Sequence, residues 1–131
     1  MSVIKLIMSD IDGTILDQNH QLDSRLLELM PLLKQSEIPF VLASARSPLG
    51  IAPISEELGI TSFPIASYNG ALISTGDKIL SQHTINKKEL LLLHDFLTKE
   101  FPTVSINVYS GKNWYVNALD KWVEIEAQIT G

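Results

Sequence analysis

The 131-residue sequence contains no cysteine, so it forms no disulfide and offers no thiolate ligand to a metal. It also lacks an excess of basic residues: 10 lysines and arginines stand against 15 aspartates and glutamates, for a formal net charge of −5. Nucleic-acid binding is therefore not expected, because it needs a positive surface. The N-terminal apolar run is interrupted by Lys5, which argues against a signal peptide or a membrane span. We expect a soluble, cytoplasmic protein.

Hydrophobic residues make up 45% of the chain, enough for one folded domain with a core. The first half alternates apolar runs, predicted as strands, with helical patterns. The predicted strands are Val3 to Met8 (buried on both faces), Ile38 to Ala43 and Phe63 to Ala66; the helices run from a cap at Ser24 to about Glu37 and from Ser47-Pro48 to Gly59. Within the second helix, Pro53 predicts two short turns. This β-α-β-α-β order predicts an α/β fold with parallel strands and right-handed crossovers.

The pattern changes after Asn69 and predicts a separate α+β lobe. Gly76-Asp77 separates two short apolar segments and indicates a hairpin. A helix is predicted from Lys87 to Glu100, with Leu90, Leu93, Leu97 and Phe101 toward a core. A second hairpin over residues 104–117 and a last helix from about Ala118 complete the predicted order.

Two aspartates, Asp10 and Asp12, follow the first predicted strand directly. If the strand continues, both point to one side, toward the crevice outside the carboxyl ends of the strands where open α/β sheets bind ligands. The competing interpretation is a hairpin with Asp12-Gly13 as its turn. A doubly apolar strand that leads into two acids favours chemistry: Mg²⁺ takes one or two carboxylates together with phosphate oxygens. Asp10 could also attack phosphorus, while Asp12 moves protons.

Three motifs carry a resemblance to a known family. Asp10-Ile11-Asp12-Gly13-Thr14 resembles the D-x-D-G-T motif of the haloacid dehalogenase superfamily of phosphatases. Ser44-Ala45-Arg46 is similar to the T-G-R form of the second motif in the sugar-phosphatase-like Cof branch, with Ala45 in place of glycine. Asn69-Gly70-Ala71 is similar to the N-G-A of the same branch, which opens a hairpin into the cap.

The resemblance implies a role for each matching residue. Asp10 would be the nucleophile and would bind Mg²⁺ through its carboxylate, while Asp12 would be the general acid and base and would contribute its backbone carbonyl to the metal. Phosphate or substrate would be bound by Thr14, Ser44, Arg46 and Asn69. Two readings stay open: Ser44 is also compatible with an ordinary strand-end hydroxyl, and Asn69 either hydrogen-bonds substrate or shapes the turn.

The resemblance also implies a fold and two domains. Residues 1–70 would form part of a Rossmann-like three-layer core with a parallel sheet, and residues 71–131 the hairpin and the beginning of an α+β cap domain. The family's third motif, a lysine, and its fourth, an acidic segment that completes the Mg²⁺ site, lie after the cap. Lys121 is the last lysine of this sequence, and no such acidic segment follows it. We therefore expect the front half of a phosphatase, weak or inactive alone.

Other functions are weighed against this expectation. The runner-up is a non-catalytic remnant that binds phosphate or a partner. A receiver domain would carry its acceptor aspartate at the end of the third strand, where Ser67-Tyr68-Asn69 stands, and no P-loop motif is present. The expected partner is a small phosphorylated metabolite. Because the family's next strand beside the first is lacking, the sequence also predicts either a homodimer through the first strand or complementation by a C-terminal fragment.

Overall fold

The computed structural model of the chain describes residues 4–130, without the side chains of residues 129 and 130. It forms two compact units, Met1–Gln82 and His83–Gly131. None of the described helices is long and apolar enough to cross a membrane.

The first unit is built on one five-stranded sheet in the order β1-β2-β3-β4-β5. Its strands are β1 (Ile7–Ser9), β2 (Phe40–Ala43), β3 (Ile65–Ser67), β4 (Leu72–Thr75) and β5 (Lys78–Gln82). The first three are parallel, as expected for an α/β fold. β4 runs antiparallel to β3, and β5 runs antiparallel to β4. This hairpin belongs to the same sheet, so the boundary between the two units follows Gln82. The sequence predicted a boundary after residue 70.

Helices α1 (Ser24–Gln35) and α2 (Pro48–Glu57) connect the parallel strands. The hydroxyl of Ser47 accepts a hydrogen bond from the N–H of Gly50 at 3.1 Å, which confirms the predicted N-cap. The first helix is capped by Asp23 and not by Ser24. Helix α2 is continuous through Pro53, so the prediction of two short turns was wrong. Burial of Ile51 and Ile54 on the core outweighs the hydrogen bond that Pro53 cannot make.

The core of the first unit lies between the two helices and one face of the sheet. Ile11, Leu42 and Ile51 have no exposed surface, and Met30 and Leu58 pack with them. Leu26 and Leu33 of α1 pack against this cluster, as predicted. The sheet therefore supplies its core residues from the face that carries Ile7, Phe40, Leu42 and Ile65, which the strand register aligns.

Strand β1 differs most from its prediction. It is only three residues long, Val3 lies outside the described residues, and Met8 is 61% exposed. The expectation of burial on both faces was wrong, because β1 is the edge strand and only the face with Ile7 meets the core. The other parallel strands differ in their ends alone: β2 begins two residues later than predicted, and β3 is shifted toward Ser67.

The second unit consists of α3 (Lys87–Glu100), β6 (Asn107–Ser110), β7 (Asn113–Val116) and α4 (Lys121–Thr130). The bounds of α3 agree with the prediction, but its burial does not: no residue of α3 is buried, and Leu93 and Phe101 are 44% and 49% exposed. Leu90 and Leu97 are half-buried. Between residues 83 and 128, Val123 is the only side chain that this structure buries. The apolar stripe of α3 thus has too few partners in this unit to form a core.

Candidate functional site

The loop after β1 is held by the buried side chain of Ile11. Strand β1 ends at Ser9, so Asp10 and Asp12 lie beyond the strand. The expectation that both point to one side was based on a strand that continues through both aspartates. The carbonyl of Ile11 accepts hydrogen bonds from the N–H groups of Thr14, Ile15 and Leu16 at 3.1–3.2 Å. Because Ile11 points into the core, the aspartates on either side of it are both exposed.

Thr14 orients the first of these aspartates. Its hydroxyl Oγ1 donates a hydrogen bond to Oδ2 of Asp10 at 3.1 Å. The tight loop between them brings the side chains together, and Gly13 adopts a φ of +74°, a left-handed conformation that suits glycine. One carboxylate oxygen of Asp10 is thereby held in place by the hydroxyl of Thr14.

The second aspartate, Asp12, forms a two-point ion pair with Arg46. Nε of Arg46 donates to Oδ2 of Asp12 at 2.8 Å, and Nη2 donates to Oδ1 at 2.6 Å. The guanidinium is almost enclosed, with 8% of its side chain exposed against 47% for Asp12, and Nη1 also donates to the carbonyl of Gly50 at 3.3 Å. Such a fork is a strong, oriented contact. The hydrogen bonds from Arg46 lower the pKa of Asp12, so its carboxylate is held as the anion.

Ser44 lies at the end of β2, beside this ion pair. Its N–H donates to the carbonyl of Ala66 on β3 at 3.0 Å, which continues the parallel pairing of the two strands. Its side chain is buried, and Oγ accepts a hydrogen bond from the N–H of Arg46 at 3.2 Å. The Ser44 hydroxyl therefore shapes the turn that leads into Arg46.

Asn69 follows β3 at the same carboxyl ends of the parallel strands. It has a φ of 55°, a left-handed conformation that asparagine tolerates better than most residues, and its N–H donates to the carbonyl of Ser44 at 2.9 Å. The preceding Tyr68 also has a positive φ, of 52°, and its N–H donates to the carbonyl of Arg46 at 3.1 Å. These backbone contacts tie the end of β3 to the end of β2.

Two partners at this site were missing from the sequence predictions. The Gly50 carbonyl accepts a hydrogen bond from Arg46, and no pattern in the sequence indicates this contact. Tyr68 stands inside the motif that identified Asn69, but its backbone contact and its partial burial, which raises the pKa of its hydroxyl, depend on the fold. The pairing of Asp12 with Arg46 joins residues 34 positions apart, and no local pattern indicates it.

The residues present fit part of a Mg²⁺ site. Asp10 offers a carboxylate, and the Asp12 backbone carbonyl would be the second hard oxygen atom, since the Asp12 carboxylate is engaged by Arg46. Residues 4–130 contain no cluster of three or more histidine, aspartate or glutamate side chains that could hold a metal. If Mg²⁺ binds here, these two residues would supply two oxygen ligands of the kind that it prefers, and water or phosphate oxygens would fill the other positions.

Fold and site together define a class of protein. The carboxyl ends of the three parallel strands lie on the same side of the sheet. The segments that follow these strands carry Asp10, Asp12, Ser44, Arg46 and Asn69. This is a Rossmann-like α/β protein with a polar, partly acidic site at the carboxyl ends of its strands, where such sheets bind ligands.

The chain belongs to the haloacid dehalogenase-like hydrolase family, whose sequence profile matches residues 7–130. It is 32% identical over 128 residues to a Haemophilus influenzae protein whose name assigns it provisionally to the phosphatases; the match covers 96% of this chain and 48% of that protein. It is 35% identical over 101 residues to the phosphatase YwpJ of Bacillus subtilis, a match that covers 74% of this chain and 34% of that protein. The chain spans about half the length of the first of these relatives.

A solved structure shares the fold over nearly the whole chain. The crystal structure of a haloacid dehalogenase-like hydrolase from Bacteroides thetaiotaomicron superposes with a TM-score of 0.85 at 28% identity, and covers 98% of this chain and 49% of that one. This likeness confirms the predicted family and the Rossmann-like α/β fold.

Proposed function

We propose that this chain carries the nucleophile side of a Mg²⁺-dependent phosphate-monoester hydrolase that acts on small phosphorylated metabolites such as sugar phosphates. The observation that supports this proposal most is the joint placement of Asp10, with its Thr14 hydrogen bond, and of Ser44 in segments that follow neighbouring parallel strands. A Bacteroides thetaiotaomicron sugar phosphatase shares the fold with a TM-score of 0.78, but at 18% identity this likeness concerns the fold alone.

The proposed reaction uses Asp10 as the nucleophile. A carboxylate oxygen of Asp10 attacks phosphorus, an oxygen–phosphorus bond forms, and the bond from phosphorus to the leaving oxygen breaks. Water then attacks the aspartyl-phosphate and releases inorganic phosphate and free Asp10. The hydroxyls of Thr14 and Ser44 are the proposed hydrogen-bond donors to the phosphoryl group. Bound Mg²⁺ would supply positive charge beside that group, with the Asp10 carboxylate and the Asp12 carbonyl as ligands from this chain.

Asp12 is the proposed general acid and base. As an acid it gives its proton to the leaving oxygen, and as a base it takes a proton from the attacking water. The ion pair with Arg46 holds Asp12 in its anionic form, which suits the second step. The first step requires a protonated Asp12, so its carboxyl group has to separate from Arg46 before it can donate. We propose that Arg46 orients Asp12 through this contact, in addition to the substrate contact expected from its motif.

Turnover by these 131 residues alone is proposed to be weak. The described residues provide two acids at the site and no third, and the engaged carboxylate of Asp12 is a poor acid as it stands. The same two observations favour the second candidate function, a protein that binds phosphate or a partner without hydrolysing the ester. The two candidates differ in one measurable respect, whether Asp10 becomes phosphorylated.

The test measures hydrolysis of an aryl phosphate by the purified chain, with and without Mg²⁺. We expect slow, Mg²⁺-dependent release that disappears in Asp10→Asn and falls by about 10²- to 10⁴-fold in Asp12→Asn. Asp95→Asn, at an exposed position in the second unit, is the matched control and should keep the wild-type rate. Mass spectrometry after an acid quench should find the phosphoryl group on the peptide that contains Asp10.

Each other outcome is informative. Full activity in Asp10→Asn would contradict the assignment of the nucleophile. Phosphate binding without turnover and without a phosphorylated peptide would favour the binding function. Calorimetric titration should find weak Mg²⁺ binding, because the proposed set contains two ligands from the described residues, and tight binding would contradict that ligand set.

A further inference from the structure

We propose that Ser67 is a positioning residue of the phosphate site, and that its hydroxyl donates a hydrogen bond to Oγ of Ser44 when a phosphoryl group is bound. Ser44 then directs its own proton toward a phosphoryl oxygen. The inference rests on the proposed phosphate contact of Ser44, which belongs to both candidate functions. Ser67 itself does not touch the ligand and acts only through Ser44.

Ser67 carries a buried hydroxyl that the fold does not use. It has no exposed surface, and among the side chains described between residues 4 and 128 its Oγ is the one buried polar atom without a hydrogen-bond partner. Ser67 directly precedes the short 3₁₀ turn Tyr68–Gly70, a position where serine often caps the backbone, but its side chain makes no such bond. A buried hydroxyl without a partner costs free energy, so the stability of the fold does not account for it.

Ser67 lies opposite Ser44 in the neighbouring parallel strand. Ala43 of β2 is paired with Ala66 of β3, so the next positions along the two strands are Ser44 and Ser67. The backbone of Ser44 continues this pairing. Its N–H donates to the carbonyl of Ala66 at 3.0 Å, and its carbonyl accepts from the N–H of Asn69 at 2.9 Å. These two bonds lie on either side of Ser67 along the chain, and neighbouring strands are about 4.8 Å apart. The two serines are therefore adjacent.

Both serine side chains lie on the same face of the sheet. Side chains alternate between the two faces along a strand, and Leu42 and Ile65, two positions earlier, both belong to the core packing. Ser44 and Ser67 therefore point to this core face, and both are buried. The Cα–Cβ bond of serine has three staggered positions, so a rotation about it redirects a hydroxyl without moving the backbone. A contact between the two hydroxyls thus requires no change in the sheet.

The hydrogen-bonding capacity of Ser44 explains what this contact does. A serine hydroxyl has one proton to donate and two lone pairs that accept. Oγ of Ser44 already accepts from the N–H of Arg46 at 3.2 Å. When Ser67 donates to the second lone pair, the remaining capacity of Ser44 is its proton, which is then available to the phosphoryl group. A hydroxyl that accepts hydrogen bonds is polarised and donates more strongly, so Ser67 raises the affinity of the site for phosphate.

The burial of Ser67 limits which group its hydroxyl can contact. Because the side chain has no exposed surface, neither a ligand nor a segment from elsewhere in a longer protein reaches it without displacing the residues around it. The acceptor is therefore a neighbour within the first unit. Oγ of Ser44 is the side-chain acceptor that the strand register places beside it.

A double-mutant cycle with inorganic phosphate as the probe tests this role. Binding to the purified chain is followed by phosphorus NMR titration in the presence of Mg²⁺. We expect Ser44→Ala to weaken binding by about tenfold and Ser67→Ala by about three- to tenfold. The double variant should bind no more weakly than Ser44→Ala alone, because Ser67 acts through Ser44. Additive losses, or wild-type affinity in Ser67→Ala, would overturn the inference.

Two further variants separate the hydrogen bond from packing. Ser67→Cys keeps a side chain of similar size but carries a weak donor, so it should lose most of the affinity that Ser67→Ala loses. Wild-type affinity in Ser67→Cys would show that only the size of the side chain matters and would contradict the role. Ser74→Ala, at a buried serine of β4 that is 5% exposed, is the matched control and should bind phosphate as the wild type does. An equal loss in Ser74→Ala would assign the effect to packing.

The proposed function is tested by a separate readout, the phosphorylation of Asp10. Phosphate binding that follows the cycle without a phosphorylated Asp10 would support the role of Ser67 and favour the binding function over hydrolysis. A phosphorylated Asp10 together with unchanged phosphate affinity in Ser67→Ala would support hydrolysis and overturn the role of Ser67. A wild-type chain that binds no phosphate would contradict both.

Discussion

The buried guanidinium of Arg46 is the most constrained charge at the site. It is enclosed by the protein, and its partner Asp12 is half exposed. A buried charge is tolerated only when it is paired, so the Asp12 carboxylate stabilises the folded state in addition to its proposed role in the chemistry. Asp12 substitutions therefore affect stability and activity together, and the two have to be measured separately.

The ion pair predicts how stability depends on pH. The pKa of Asp12 is lowered from 3.8 by its hydrogen bonds to Arg46, so the pair contributes its full stability above about pH 4, and this is lost as pH falls through the lower folded-state pKa. The melting temperatures of the wild type and of Asp12→Asn should therefore differ most at neutral pH and become equal in acid. Arg46→Gln should lose the same pH-dependent part of the stability. A constant difference across the acid range would contradict the pairing.

Ser67 offers a second test at the level of a single residue. It has no exposed surface, and its hydroxyl has no hydrogen-bond partner in the structure. A buried hydroxyl without a partner costs free energy, so Ser67→Ala should leave the free energy of unfolding unchanged or raise it by up to about 1 kcal/mol. Ser44→Ala, which loses the contact with the Arg46 N–H, should instead lower it by about 1 kcal/mol. Chemical denaturation measures both, and a marked loss in Ser67→Ala would show that its hydroxyl is satisfied.

At the scale of elements, the helices of the first unit form because their apolar faces meet the core. Both contain an interior proline, Pro31 in α1 and Pro53 in α2, and both remain continuous. A proline at such a position removes one backbone hydrogen bond and crowds the preceding turn. Packing of Met30 and Ile54 on the core offsets that cost.

Substitution of the proline in α1 should therefore stabilise the protein. Pro31 is exposed, so Pro31→Ala restores an N–H donor without opening a cavity, although the unfolded chain then gains some freedom. We expect the free energy of unfolding to rise by about 1 kcal/mol, measured by denaturant titration. Leu32→Ala, at an exposed position of the same helix, is the control and should change it by less than about 0.5 kcal/mol. A loss of stability in Pro31→Ala would show that the helix depends on the ring.

At the scale of the whole molecule, the two units differ in how much they bury. The first contains the core around Ile11, Leu42 and Ile51, whereas Val123 is the one buried side chain that the structure describes between residues 83 and 128. Stability within a protein follows the local density of buried apolar contacts. The second unit should therefore open more easily than the first.

Hydrogen exchange followed by mass spectrometry tests this difference. Amides of β2 and α2 should be the best protected, and those of α3 and the β6–β7 hairpin should exchange earlier. Ser67→Ala and Pro31→Ala act in the first unit and should leave exchange in α3 unchanged. Equal protection of the two units would contradict the assignment of stability to the first.

Several features followed from local patterns in the sequence. The Ser47 cap with Pro48 at the first helical position, the β4–β5 hairpin around Gly76 and the bounds of α3 were all predicted correctly. These features depend on a few adjacent residues, whose conformational preferences act over short distances. The D-x-D-G-T segment likewise identified the family from five neighbouring residues, and the comparisons confirmed it.

The sequence by itself therefore determined the family, the α/β class and the segments that follow the parallel strands. Only the tertiary structure decided that Arg46 pairs with Asp12, that β1 is exposed on one face and that α3 has no buried residue. Each of these depends on residues far away in the chain. The apolar runs of β1 and α3 show which surfaces are suited to burial, but whether they are buried depends on what the rest of the fold places against them.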